Sequence, residues 1–320
     1  MTSSAVNLVL ALLPEIALLA GGCLIAMLLA GRRPRPDGRP GRLDRAPAWA
    51  ALATVLVAVA LLQFAPSVAT ERLRPEQPAG ERAVHPIIIL DGLAAGGRWA
   101  ALFVGAFIVA GAFGLPRPVP PPAGKPAHAP DRQPAAAEFF MLMLFSLAGL
   151  MLVASANDLI VLFLAIELTS LPTVVMVALS RPRHGAIEAA GKYFLLSVVA
   201  TALLLMGLAY IFGLAGETNL SAVANFVAAS PRSPMAIVAV ALTLAGLAFN
   251  IAAFPFHVYL ADVYQGSAAP VAGHLAFVAK AAGFIALVRV LSAVGQGVSF
   301  AAGPNAWIRQ PLWAWTIAAL

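Results

Sequence analysis

Long apolar runs separated by short polar segments recur along the whole chain, and within each run the apolar residues are continuous. About 20 consecutive apolar residues cross a bilayer core as a helix, whereas strands of a membrane barrel alternate apolar and polar positions. The pattern therefore predicts an all-α, polytopic helical membrane protein and excludes a β-barrel. Eight complete spans are predicted, at residues 6–30, 48–65, 97–115, 138–155, 157–179, 186–213, 234–256 and 270–293.

A ninth apolar run begins near residue 310 and is cut off at Leu320. This run has the start of a membrane helix but not its end. We therefore expect the chain to be the N-terminal part of a longer protein.

Composition narrows the class of protein further. Of the 320 residues 61% are hydrophobic and 11% are charged, against about 45–50% and about 25% in soluble domains. Such a chain is too apolar for a soluble or disordered protein, and its single cysteine excludes a disulfide scaffold. The basic excess lies in short loops between apolar blocks, so we expect the lipid bilayer as a partner and no nucleic acid. The sequence has no Cys or His cluster, P-loop or dinucleotide fingerprint, which predicts no metal and no redox cofactor in this chain.

The distribution of positive charge predicts the orientation in the membrane. Eleven Lys and Arg residues lie in the loops after spans 1, 3 and 5, and six, Arg98 among them, are assigned to the opposite loops. Because cytoplasmic loops carry the excess of Lys and Arg, the loop after span 1 should lie on the inner side of the membrane and the N-terminus on the outer side.

Charged residues within the spans are the first functional candidates, since a charge at mid-bilayer costs at least about 2.5–3.5 kcal/mol. Structural ion pairs or lysines that reach the membrane surface are the alternative explanation. The chain has 17 Arg but only 3 Lys, and two of those lysines lie inside spans. A buried lysine can release its proton, whereas arginine stays protonated. The charged residues concerned are Glu15, Glu167, Lys192 and Lys280, with Arg289 near a span end.

Glu167 and Lys192 have different depths in the predicted membrane. Glu167 lies at the centre of span 5, and Pro172 leaves a carbonyl near it without its helical donor. We expect Glu167 to face spans 6–8 and to accept a hydrogen bond from Lys192, Asn250 or water. Lys192 lies roughly 9 Å into span 6, so it can serve a proton path or reach the inner surface.

Span 7 should be interrupted near residues 251–256, because Pro255 removes a helical hydrogen bond. Interrupted helices at membrane depth face protein or a water-filled cavity and mark ion sites in transporters. Asn250 precedes the expected break and His257 follows it, while His274 lies roughly 9 Å before Lys280 in span 8. A histidine can relay protons, although a lone one is more often a packing residue. The predicted proton path comprises Glu167, Lys192, Asn250, His257, His274 and Lys280.

Four blocks of sequence resemble the subunit N family of the proton-pumping NADH–quinone oxidoreductase, respiratory complex I. The resemblance is clearest over residues 139–290 and looser over 1–115. The blocks are Phe139-Phe-Met-Leu-Met-Leu-Phe with Leu152-Val-Ala-Ser-Ala-Asn-Asp-Leu and Ile166-Glu-Leu-Thr-Ser-Leu-Pro172; Glu188-Ala-Ala-Gly-Lys-Tyr-Phe-Leu-Leu196; Phe254-Pro-Phe-His with Ala261-Asp-Val-Tyr-Gln-Gly266; and Lys280-Ala-Ala-Gly-Phe284.

The resemblance implies an antiporter-like fold of about fourteen helices with two inverted five-helix repeats. The chain would then have three parts. Spans 1–3 would lie in residues 1–137, the first repeat in residues 138–293, and a loop with the start of span 9 in residues 294–320. The family takes part in proton translocation coupled to quinone reduction in the cell (inner) membrane. NADH, flavin, iron–sulfur clusters and quinone belong to partner subunits, and the other membrane subunits of the complex are the implied partners.

The resemblance also assigns roles and shows three departures. Glu167 matches the family's glutamate that tunes the protonation of a nearby lysine. Lys192 matches the family's span-6 lysine, and Lys280 matches the protonatable residue of its central polar axis. Asn250 stands where the family has a lysine, Ala279 replaces a proline, and His274 replaces an apolar residue.

The departures leave other functions open. A related cation/proton antiporter or membrane-bound hydrogenase complex is one alternative, and a non-pumping scaffold subunit is another.

Overall fold

The computed structural model describes residues 8–29, 46–72, 86–113, 136–179, 184–229 and 234–295. Apart from two isolated β-bridges, the regular structure of these residues is helical. The helices are α1 (Leu13–Leu29), α2 (Ala46–Arg72), α3 (Gly92–Phe113), α4 (Ala136–Ser155), α5 (Leu159–Leu179), α6 (His184–Ala215), α7 (Leu220–Ala229), α8 (Pro234–Ile251), α9 (Tyr259–Gly266), α10 (Ala269–His274) and α11 (Lys280–Gly295).

The predicted all-α membrane fold is confirmed. Seven helical segments within the described ranges are long and apolar enough to cross a membrane, and α1 is a shorter apolar helix. Spans 2 to 6 correspond to α2 to α6, and span 8 comprises α10 and α11. The seventh apolar segment continues to Gly266, beyond the predicted end at residue 256, so span 7 comprises both α8 and α9. The predicted ninth span lies outside the described residues.

Helix α4 lies at the centre of the bundle and contacts α1, α3, α5 and α11. Lipid tails are as apolar as leucine, so membrane helices associate through close packing more than through the hydrophobic effect. Gly246 of α8 shows this packing: a Cβ added there would lie 2.7 Å from the backbone nitrogen of Leu204 in α6. At the same helix contact, Gly207 of α6 lies against the backbone and hydroxyl of Thr243 in α8.

Arg98 corrects one assignment made from the sequence. It lies inside α3 and is buried, and its Nη2 is 2.7 Å from Glu15 Oε1 of α1. The contact is an ion pair without an aligned hydrogen bond, and the same Nη2 donates to the carbonyl of Ala11 at 3.1 Å. Arg98 is therefore not a loop charge, and removing it from the smaller group strengthens the charge asymmetry on which the predicted orientation rests.

The expected interruption of span 7 is confirmed. Helix α8 ends at Ile251, however, which lies before Pro255, so the missing N–H of the proline is not what ends it. Ala252 has a φ of 57°, and its N–H donates to Phe249 O at 3.0 Å. Ala253 N–H donates to Ala248 O at 2.9 Å. This pair of bonds is the Schellman arrangement that ends helices at a left-handed residue. A 3₁₀ turn, Phe256–Val258, then leads into α9.

Span 8 contains a distortion that the sequence did not predict. A π-helical segment, Leu275–Ala279, separates α10 from α11. His274 ends the helix before this segment, and Lys280 begins the helix after it. Single π turns within α-helices are frequent at functional sites.

Asn157 and Asp158 join three segments at one end of the bundle. The Asn157 side chain donates to Pro86 O at 2.8 Å, and its backbone bonds to Ile87 O and Leu220 N. Asp158 Oδ1 accepts from the first free N–H groups of α5, as an N-cap does. The Ser-Ala-Asn-Asp-Leu block is therefore a structural junction.

Candidate functional site

Lys280 lies beside the interrupted helix. Its Nζ is 3.4 Å from the hydroxyl of Tyr259 and 5.6 Å from the centre of the same ring. The Tyr259 hydroxyl donates to Phe249 O at 3.1 Å. Because Tyr259 begins α9 and Phe249 belongs to the last turn of α8, these contacts join Lys280 to both halves of span 7.

Three stacked rings hold Tyr259 in place. Its ring centre lies 4.6 Å from that of Phe249 and 5.2 Å from that of Tyr193 in α6. The Tyr193 and Phe249 centres are 5.9 Å apart. Sequence reasoning missed this cluster, although Tyr193 directly follows Lys192 in a block that carries the family resemblance.

Asn250 packs against α11, on which Lys280 lies. A Cβ added to Gly283 would lie 3.0 Å from Asn250 Cβ and from the backbone nitrogen of Ile251. Within the described ranges the Asn250 side chain makes no hydrogen bond, and it does not reach Glu167. The glycine therefore allows the end of α8 to approach Lys280's helix closely.

Glu167 faces α6, as predicted, but its donor is a different residue. Thr201 of α6 donates to Glu167 Oε1 at 2.7 Å. Of the three predicted donors, Lys192 and Asn250 make no such contact, since Lys192 is bound elsewhere and Asn250 lies against α11, and a bond from water stays a prediction. Glu167 also lines a groove of about 390 Å³ that is otherwise apolar; its other lining residues are Leu142, Leu164, Leu168, Leu171, Pro172 and Val175.

Lys192 forms ion pairs towards one end of α6. Its Nζ lies 2.9 Å from Glu188, one turn earlier, and 2.7 Å from Asp262 of α9. The Lys192 side chain is 49% exposed and that of Asp262 is 48% exposed. Lys192 thus ties the second half of span 7 to α6, and the structure separates it from Glu167.

The two histidines have different environments. His257 is exposed, and its ring stacks on Phe254 with 5.8 Å between centres. His274 is fully buried, and its Nε2 lies 3.0 Å from the Ser146 hydroxyl of α4. His274 therefore belongs to a cluster separate from Lys280 and Tyr259.

Asp91 and Arg289 form a bidentate pair at the start of α3. The guanidinium contacts the two carboxylate oxygens at 2.6 and 2.7 Å and also donates to Ala154 O. Partial burial raises the pKa of Asp91, but the hydrogen bonds from Arg289 and from Ala94 N–H outweigh it and hold this pKa below its usual range. Arg289 is thus a structural cation that joins α11 to α3 and α4.

Four of the six candidate residues occupy separate polar clusters, while Asn250 packs against Gly283 and His257 stacks on Phe254. The clusters are the Glu167–Thr201 pair, the Lys280–Tyr259 pair, the Lys192–Glu188–Asp262 group and the His274–Ser146 pair. Among the described residues no group of three or more His, Cys, Asp and Glu could hold a metal ion. A proton that passes between clusters would need water or movement of side chains.

Residues 156–307 match the family described as NADH:quinone oxidoreductase/Mrp antiporter, TM. The matched range contains all six residues of the predicted proton path. NADH-quinone oxidoreductase subunit N 2 from Rhizobium meliloti (strain 1021) is 34% identical over 284 residues, which cover 88% of this chain and 52% of that protein.

Two further proteins show similar matches. F(420)H(2) dehydrogenase subunit N from Methanosarcina mazei is 42% identical over 153 residues, covering 48% of this chain and 31% of that protein. A chain of respiratory complex I from Thermus thermophilus, solved with bound aureothin, superimposes with a TM-score of 0.62 at 28% identity. That match covers 87% of this chain and 53% of the other. The present chain thus spans about half, or less, of the length of these proteins.

Proposed function

We propose that this chain, whose residues 156–307 belong to the NADH:quinone oxidoreductase/Mrp antiporter transmembrane family, is a membrane subunit of an NADH–quinone oxidoreductase. In this proposal it takes part in proton translocation coupled to quinone reduction. The 34% identity to a subunit N over most of the chain supports it.

The contact between Lys280 and Tyr259 at the interrupted helix carries the proposal. A protonated Lys280 donates a charge-assisted hydrogen bond to the Tyr259 hydroxyl. When Lys280 releases its proton, this bond loses its charge and weakens. Because Tyr259 also donates to Phe249 O, the protonation state of Lys280 would be felt by both halves of span 7.

Glu167 supplies the negative charge of the mechanism. Its carboxylate accepts a hydrogen bond from Thr201 and borders an apolar groove, where a charge is less well screened than in water. Such a charge favours the protonated form of a lysine nearby. We place water between the Glu167 and Lys280 clusters, since interrupted membrane helices are tolerated where they face protein or a water-filled cavity.

The proposal extends to partners, cofactors and location. The other membrane subunits of the oxidoreductase are its partners, and NADH, flavin, iron–sulfur clusters and quinone are bound by partner subunits. The chain is a multi-pass protein of the cell (inner) membrane with its N-terminus outside. The excess of basic residues after spans 1, 3 and 5 supports this orientation.

Two other functions have specific observations in their favour. The similarity to a subunit of F(420)H(2) dehydrogenase, and the inclusion of Mrp antiporters in the family description, favour a proton-translocating subunit of a related complex. Asn250 favours a scaffold subunit, because an amide cannot supply the charge that a lysine would.

Vesicles from cells that lack the gene distinguish these functions. The proposal predicts that NADH-driven proton uptake is lost and that the full chain restores it. Uptake driven by a donor that bypasses NADH oxidation serves as the control and should persist. Unchanged NADH-driven uptake would contradict the proposal, and loss of cation/proton antiport instead would favour the related complex.

A further inference from the structure

His274 lies in a buried polar cluster that is separate from Lys280. Its side chain is fully buried at the end of α10, directly before the π turn. The neighbouring polar groups are Ser146 of α4 and Thr169 and Thr173 of α5. The cluster therefore joins span 8 to the centre of the bundle.

The Thr173 and Ser146 hydroxyls of this cluster share one carbonyl acceptor. Thr173 donates to Thr169 O at 2.7 Å, and Ser146 donates to the same carbonyl at 3.0 Å. Ser146 has one hydrogen to donate and lies 3.0 Å from both Thr169 O and His274 Nε2. We assign this hydrogen to Thr169 O, so that Ser146 accepts from Nε2. In the neutral ring the hydrogen is thus assigned to Nε2.

Nδ1 of His274 is consequently an acceptor, and it has no partner among the described residues. Buried polar atoms in folded proteins nearly always have a hydrogen-bond partner, which is often an ordered water. A lone pair at this depth thus points to a donor other than the residues that the structure describes.

We propose that a water molecule binds Nδ1 of His274 and that the imidazole is a proton-binding station in span 8. A hydrated proton at this water passes to Nδ1: the N–H bond forms as an O–H bond of the water breaks. The ring becomes an imidazolium whose Nε2–H still donates to Ser146, and the reverse step returns the proton. The position of His274 is suited to this role, because the π turn alone separates it from Lys280 along the chain.

The water site does not depend on the proposed function, whereas the station does. A cryo-EM map of the assembled complex that resolves ordered waters tests the site. We expect density at hydrogen-bond distance from Nδ1, about 2.7–3.2 Å. An empty or apolar contact there would overturn the inference.

The variant His274→Gln tests the station. Its amide can still donate to Ser146 but takes up no proton, so a linking role would be rescued and a proton-binding role would not. We expect His274→Gln and His274→Phe to lower the proton yield per electron pair to a similar extent, with normal assembly for His274→Gln. A wild-type yield in His274→Gln would overturn the station.

Lys280→Met, measured in parallel, separates this inference from the proposed function. If Lys280→Met lowers the yield and His274→Gln does not, the station is wrong and the proposed function stands. If neither variant lowers the yield, translocation by this part of the chain is wrong, and the map alone decides whether water binds Nδ1.

Discussion

Tyr259 stands between Lys280 and the carbonyl of Phe249, and it contacts both through its hydroxyl, at 3.4 and 3.1 Å. A single side chain thus links the cation of span 8 to the two halves of the interrupted span 7. This arrangement explains how a proton on Lys280 could alter the helix break without any charge at Asn250.

Tyr259→Phe tests this link, because it keeps the stacked ring and removes the hydroxyl. We expect a partial loss of proton yield, smaller than for Lys280→Met, and a stability cost of about 0.5–1.5 kcal/mol for the lost bond. Proton uptake per NADH oxidised and the thermal midpoint of the complex measure the two effects. The control is Tyr193→Phe, which alters a ring of the same stack that does not contact Lys280. Equal effects of the two variants would argue against the link.

Thr201 should affect proton translocation only through its hydrogen bond to Glu167. Its hydroxyl donates to the carboxylate at 2.7 Å, so Thr201→Val should reduce the proton yield less than Glu167→Gln. The double variant should lose no more than Glu167→Gln alone, because the two residues act on one charge. Proton yield in the four members of this double-mutant cycle measures the coupling. Additive losses would show that Thr201 acts independently of Glu167.

Asn250→Lys should be tolerated and should maintain or raise the proton yield. Asn250 is only partly buried, although the end of its helix packs closely on Gly283. The variant places a removable proton at the break, next to the helix of Lys280. Asn250→Met, of comparable length but without charge, is the matched control. A lower yield in Asn250→Lys than in Asn250→Met would contradict the expectation.

Glu15 and Arg98 should each be needed to neutralise the other, because both side chains are buried. Removing one partner leaves a buried charge, so Arg98→Met should cost about 3–5 kcal/mol. Replacing both residues, as in Glu15→Leu with Arg98→Met, should recover most of this loss. The thermal midpoint and the amount of assembled complex measure the effect. A double variant as unstable as the single one would show that the charge pair itself is not the cause.

The sequence was sufficient for those features that depend on local composition. Continuous apolar runs predicted the helical membrane fold, and the polar and proline residues around Pro255 located the interrupted segment. The resemblance to subunit N is confirmed by the family match and the similarity to named subunits. Each of these signals lies within one stretch of residues.

Features that depend on contacts between distant residues were not predicted. Arg98 lies next to a predicted span boundary, and nothing local reveals that Glu15 neutralises it in the interior. The π turn at Leu275–Ala279 consists of ordinary helix-forming and apolar residues, without proline or glycine. The donor to Glu167 was missed as well, although Ser197 and Thr201 are spaced by four in an apolar span, which places both hydroxyls on one helix face.

The central claim is that Lys280 is the proton-carrying cation of this part of the chain, and Lys280→Met in the assembled complex tests it most directly. The measurement is the number of protons translocated per electron pair passed from NADH to quinone. Lys125→Met, which changes the lysine of a predicted loop, is the matched control. We predict a lower yield for Lys280→Met and a wild-type yield for Lys125→Met, with assembly unchanged in both. A wild-type yield in Lys280→Met would contradict the account and leave the chain a scaffold subunit.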